Sequence, residues 1–212
     1  MADGRSARAE RTQAVGQARA LIVTGPEELR ARFAGRSPAQ LIKAITALRP
    51  GPGDVPGYAT RVALRERGRC AQFLDAQLER LDELIGPLVT ARAPGLLALH
   101  GVGPDTAAML LVAAGDHPER LRSESSWAHL CGAAPIPASP GKTAGRYRLN
   151  RGGDRQANSA LWRIVIVRLS SGPATRSYAG RRSEEGLTEK EIIRCLKRYL
   201  AREVYRQLRA ES

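Results

Sequence analysis

What this chain lacks narrows its chemistry first. Its three cysteines, Cys70, Cys131 and Cys195, lie far apart with no CxxC pair. That excludes a zinc knuckle by spacing and argues against a disulfide scaffold. The three histidines are equally scattered. No apolar run approaches the roughly 20 residues that span a bilayer, and the opening MADGRSARAE has no apolar signal core. No membrane is expected as a partner, and the cytoplasm is the default location. Acidic residues are also short, 21 Asp+Glu against 34 Lys+Arg, for a formal charge of +13. A surplus of that size repels itself in a compact state and is usually retained where something anionic neutralises it. A GC-rich coding bias accounts for part of the arginine total, but less well for its placement. Hydrophobic residues still make up 42% of the 212. Global disorder is therefore not expected, and one or two domains can be built.

The periodicity is helical almost throughout, so the expected fold class is mainly α. Residues 5–24 place Ala14, Ala18, Leu21 and Ile22 at helical spacing, and Gly25-Pro26 stops them. A short helix over 27–33 follows, then one opening at Ser37-Pro38, an N-cap and N1 pair. The composition of 49–54 is that of a linker. From about Tyr58 to Thr90, Leu64, Ala71, Leu74, Leu78, Leu81, Ile85 and Leu88 alternate steps of three and four, the seam of a coiled coil. A helix packed within its own domain can show the same pattern. The other faces are heavily charged, which favours an antiparallel or dimeric coiled coil. Beyond Ala93 the pattern changes to short helices with Gly/Pro punctuation. Asp154 is an expected N-cap, and Thr188-Glu-Lys-Glu191 a capping box opening a last helix to about Leu208. Three regions result: 1–54, 55–92 and 93–212.

Three features carry chemistry. In Leu99-His-Gly-Val-Gly-Pro-Asp-Thr-Ala107, Gly101 and Gly103 permit a tight turn, and Pro104 opens a helix. This is the form of a helix-hairpin-helix, whose helix N-terminus binds phosphate without reading bases; Gly101, Gly103 and Thr106 are its candidate contacts. An ordinary glycine turn between packed helices is the competing explanation. The second feature is the segment 135–155. Its Gly141-Lys-Thr143 invites a P-loop, but Ile136 stands where that motif needs glycine. What remains is a basic arm bearing Lys142, Arg146, Arg148, Arg151 and Arg155. The third is the terminal helix. Ile193, Leu196, Leu200, Val204 and Leu208 form its apolar stripe, and Lys190, Arg194, Arg198, Arg202 and Arg206 recur every fourth residue. Like charges at that spacing cost about 0.2–0.5 kcal/mol per pair in an isolated helix. A solvated face and a phosphate backbone lying along the column explain it about equally well.

In this order the pieces resemble the insertion-sequence transposases of the IS-one-ten type, also called Piv-like or DEDD transposases. The resemblance rests on 99–107, on Leu130-Cys-Gly132 leading to Pro135-Ile-Pro-Ala-Ser139, on Arg148-Leu-Asn-Arg-Gly-Gly-Asp-Arg-Gln-Ala-Asn158, and on Glu191-Ile-Ile-Arg-Cys-Leu-Lys-Arg-Tyr199. It implies an N-terminal RuvC-like domain with four metal-binding acids, a coiled coil, and a C-terminal helical domain supplying a nucleophilic serine. It also implies a bridge RNA that guides target choice and an oligomeric protein. Mg²⁺ belongs to the full-length family, and no metal ligand is expected in this chain. Asp3 and Glu10 match none of the four acids, so the chain resembles the C-terminal part, with 1–54 a helical remnant of the acidic domain. The family shows two serines before Gly-Lys-Thr, whereas here Ser139 precedes Pro140. Ser139 is the candidate nucleophile if the first of the pair carries the reaction.

The expectation is thus a DNA-binding transposase fragment that contacts double-stranded DNA and is inactive alone, a homo-oligomer through its coiled coil. Two alternatives stand beside it: a subunit completed by a separate RuvC-like chain, and an RNA-binding helix-hairpin-helix protein of ribosomal type.

Overall fold

The computed structural model describes residues 2–51, 55–115, 121–137, 147–150 and 152–210. Among them, ten helices and one two-stranded ribbon form two compact units, Met1–Glu83 and Leu84–Ser212.

The first unit holds α1 (Ala2–Thr24), α2 (Glu27–Phe33), α3 (Pro38–Thr46) and most of α4 (Val55–Arg92). Ser37 caps α3 as its sequence implies: its hydroxyl accepts from the Gln40 amide, and its own amide donates to the Gln40 side chain. Ala18, Ile22, Leu29, Phe33, Leu41, Ile45 and Leu48 close over Leu64 of α4. A second patch joins Ala14 and Val15 of α1, Ile42 of α3 and Ala71 of α4. Gly68 lets α4 pass close over α3, since a Cβ there would overlap Thr46. α1 runs antiparallel to α4, with Gln17 on Arg67, Arg11 on Asp75 and Arg8 on Asp82.

That packing divides the heptad seam. Leu64, Ala71 and Leu74 are buried within the unit, whereas Leu88 is 69% exposed. The first half of the stripe is therefore covered by the chain's own helices, the explanation the charged flanks had made second choice.

The second unit contains α5 (Pro94–Ala98), α6 (Pro104–Ala114), α7 (Glu124–Leu130), β1 (Pro135–Pro137), β2 (Tyr147–Leu149), α8 (Arg155–Ser171), α9 (Pro173–Glu184) and α10 (Glu189–Ala210). Leu96, Leu110, Trp127, Leu161, Ile164, Leu200 and Val204 are the large side chains of its core. α8 lies at the centre, packed on α6, α9 and α10. Its β-branched run Ile164-Val-Ile-Val167 is helical, because Ala157, Leu161 and Val165 all face the core. The arm expected over 135–155 instead pairs its ends, Ile136 opposite Arg148 in an antiparallel ribbon. Pro135 and Pro137 hid that strand, since proline cannot donate to a ladder.

Candidate nucleic-acid interface

The turn between α5 and α6 is built against α8. Gly101 sits at φ +81°, where an L side chain is strained. A Cβ there would also meet the Ile164 carbonyl at 3.3 Å and the Arg168 and Val167 side chains at 3.4 Å. The Arg168 guanidinium donates to the His100 carbonyl (2.7 Å), and His100 Nε2 lies 2.9 Å from the Ser171 hydroxyl. Gly103 caps α6 with open space around its Cα. Thr106 is buried, its hydroxyl donating to the Gly103 carbonyl and accepting from the Gly103 amide. Asp105, in the first turn of α6, pairs with Arg163 of α8 at 2.7 Å. Gly101 and Thr106 thus hold the hinge, and Gly103 is the position open to a close approach.

The second arrangement was not anticipated from single residues. The last turn of α7 presents three successive carbonyls, and each is taken by the 150–158 segment. Asn150 donates its side-chain amide to His129 O (2.9 Å), the Asp154 backbone amide donates to Leu130 O (2.6 Å), and Asn158 donates its side-chain amide to Cys131 O (2.8 Å). Gly132 (φ +63°) and Gly153 make room, since a Cβ on Gly153 would overlap the Gly132 backbone. Asp154 caps α8 by accepting from the Gln156 and Ala157 amides. Beneath the knot, Lys197 of α10 donates to Asn158 Oδ1 at 3.0 Å while only 6% exposed. Burial, with Arg194 nearby, holds its ammonium below the usual lysine range. Burial likewise pushes the Cys131 thiol well up, so it stays protonated and unreactive.

These residues root a ribbon whose two strands lead into the segment 138–146. Ser139, Lys142, Arg146 and Arg151 lie outside the described residues, and Arg148 is described only by its backbone, opposite Ile136. Neutral amides and a lone lysine form no pattern that spacing rules detect. Their only signal was membership of the stretches that carry the family resemblance.

The cationic column divides. Arg198 and Arg202 both reach Glu124 of α7, at 3.0 and 2.8 Å. The Arg202 hydrogen bond is the largest influence holding the Glu124 carboxyl below its ordinary value. Arg194 is exposed, one turn from Lys197, and Arg155 is exposed at the start of α8; Lys190 and Arg206 also face solvent. Two of the five cations are therefore compensated from another helix. In the expected capping box at Thr188, Glu191 accepts from both the Thr188 amide and its hydroxyl. Among the described residues no three acidic, histidine or cysteine side chains converge, so these residues do not fit a two-metal site. No described helix is long and apolar enough to cross a membrane.

Residues 93–179, which span the hinge, the knot and α8, match the family described as "Transposase IS116/IS110/IS902 family". The chain carries a transposase domain of that family. Two curated insertion-element proteins align with it. The 43.6 kDa protein of insertion element IS110 from Streptomyces coelicolor is 31% identical over 169 residues, covering 77% of this chain and 40% of that protein. The 42 kDa protein of insertion element IS900 from Mycobacterium paratuberculosis is 25% identical over 173 residues, covering 80% and 43%. The chain thus spans about two-fifths of the length of these relatives. Hinge and knot both fall inside the transposase domain, whereas Lys197 and α10 lie beyond the segment the family model matches.

Proposed function

We propose that this chain is the DNA-handling part of an insertion-sequence transposase, holding duplex DNA by its sugar–phosphate backbone. α5 and α6 act as a helix-hairpin-helix grip, with Gly103 at the point of approach. Arg155, one turn before Asn158, and Arg194, one turn before Lys197, add exposed charge on the side of the knot. Ser139, in the segment that joins β1 to β2, is the nucleophile toward phosphorus in this reading. Its hydroxyl oxygen would form the new P–O bond as a sugar oxygen departs, that oxygen gaining a proton and the strand end staying on the protein.

The observation that supports this best is the knot. Three consecutive carbonyls at the C-terminal end of α7, those of His129, Leu130 and Cys131, are each held by the 150–158 segment, which ties the chain leading into β1 to the chain leaving β2. Clamping of that kind suits a loop that must deliver one side chain accurately. The described residues offer no carboxylate cluster for metal, so in this reading the chain by itself binds without cutting. Cleavage takes acidic residues from elsewhere in the protein or from a separate chain.

Fluorescence anisotropy with a labelled duplex at several salt concentrations tests the grip. With about five phosphates neutralised, the log–log slope of affinity against salt should lie near −4 to −5. A flat response removes the backbone-grip account. Purified protein with Mg²⁺ and DNA should yield no covalent adduct on a denaturing gel, and an adduct there overturns the inactive-alone part. If a RuvC-like partner chain restores the adduct, Ser139→Ala should abolish it; an adduct that persists in the variant takes the role from Ser139.

A further inference from the structure

A cavity of about 260 Å³ opens between α8, α9 and α10, away from the carbonyl knot. Val165 and Leu200 contribute apolar surface to it, and Tyr178 and Tyr199 line it with rings 5.7 Å apart at 82°, two walls of a corner. Arg168 and Glu203 also line it, paired at 2.8 Å through Arg168 Nη1 and Glu203 Oε2. Burial first of all raises the Tyr178 phenol to about 12, so its hydroxyl remains a donor at working pH. The Arg181 guanidinium lies 5.5 Å from the Tyr178 ring centre, and that of Arg202 lies 5.9 Å from the Tyr199 ring centre.

This combination has a specific chemistry. The volume falls below the roughly 300–1,000 Å³ of pockets for drug-sized ligands, which suits one planar ring system. Perpendicular aromatic walls let such a ring stack on one tyrosine while its edge meets the other. Of the two guanidinium groups beside the rings, that of Arg202 is shared with Glu124, and that of Arg181, 66% exposed and 3.8 Å from Glu185, is the one a strand's phosphate can approach. Tyr199 is 48% exposed, with Tyr178 and the Arg202 guanidinium beside its ring, so part of its surface remains open to a ligand. Arg168 holds one Glu203 oxygen, which leaves the other to accept from a ligand.

We infer that this cavity receives a single unpaired nucleobase of a nucleic-acid strand, stacked on Tyr199 and hydrogen-bonded through an exocyclic amino group to Glu203. A carboxylate acceptor favours bases that carry an amino donor, cytosine above all, over uracil and thymine, which present carbonyl oxygens there. The site rests on the nucleic-acid reading above and adds a ligand that a duplex grip does not require. Its source is a displaced DNA strand or an RNA, which offer the same base edge.

The test uses the full chain with fluorescein-labelled twelve-residue strands of oligo(dC), oligo(dT), oligo(rC) and oligo(rU), beside a duplex of equal length. The intact protein should prefer C strands to T or U strands by about fivefold. Tyr199→Ala should weaken C-strand binding about tenfold, the scale of one lost base–aromatic stack, with duplex binding changed less than twofold. Tyr199→Phe should keep the affinity, and Glu203→Gln should erase the preference for C. Thermal melts confirm that each variant is folded; Tyr199 is half in solvent, so its loss should be tolerated. A stronger C preference among ribo strands identifies RNA as the source, and one among deoxy strands identifies DNA. Unchanged single-strand binding in Tyr199→Ala, an equal loss on duplex, or equal affinity for C and T strands overturns the cavity's assignment. Loss of salt-dependent duplex binding with single-strand binding intact instead overturns the duplex grip alone.

Discussion

Lys197 shows what a single buried charge demands. An ammonium out of water needs compensation, and here one amide oxygen supplies it. Its proton affinity is lowered on folding, so between its folded value and the ordinary lysine value of about 10.4 the unfolded chain binds more protons. Stability contributed by this site therefore rises with pH through that window. The stability of the intact protein relative to Lys197→Met, measured by urea unfolding, should increase from neutral pH toward pH 10. A difference independent of pH would show that the lysine does not titrate there. Gly101 and Gly103 form a second pair of contrasts. Gly101→Ala must hold a side chain at φ +81° against α8, at a cost of about 1–2 kcal/mol for the backbone alone. Gly103→Ala meets nothing within 4 Å at negative φ, so its urea midpoint should barely move. If Gly103→Ala nevertheless weakens duplex binding, the lost affinity reports the approach of a phosphate to the α6 N-terminus. Unimpaired binding removes Gly103 from the interface.

At the scale of elements, α8 depends on its cap. Asp154 accepts from two amides of the first turn and donates its own amide to Leu130 O. Asp154→Ala should cost about 1 kcal/mol through the lost cap, read as a lower denaturation midpoint. Asp154→Asn should recover most of it, since an amide oxygen can cap as well. α4 carries the other element-level expectation. Leu84 and Leu88 are 68% and 69% exposed, and the oligomer proposed from the seam would form through this end of the helix. Light scattering on Leu84→Glu/Leu88→Glu should show a smaller species than the unsubstituted chain; an unchanged mass would locate the contact elsewhere.

For the whole molecule the governing quantity is the charge of +13. Self-repulsion of that order lowers the stability of any compact state, and a bound polyanion relieves it by mass action. Heparin should raise the melting temperature more than an equal ionic strength of sodium chloride. Equal effects would mean general screening without a shaped anion surface.

Most of the secondary structure was legible along the chain, because apolar residues at three-and-four spacing leave an α-helix few alternatives. The Ser37 and Asp154 caps and the Gly25-Pro26 stop are local chemistry, and each stands where its residues place it. The family was legible too, in contiguous stretches from Leu99 to Tyr199. Partnership was not. Whether Leu64 and Ala71 meet another chain or α1 and α3, and whether Arg198 and Arg202 stand free or share Glu124, depends on residues in other helices, well beyond the reach of local periodicity. The carbonyl knot and the tyrosine corner likewise join residues from helices whose order along the chain says nothing of their separation in space. Local hydrogen bonding and periodicity are short-ranged properties of a sequence, whereas the pairing of charges and the closing of a cavity are set only when the helices pack.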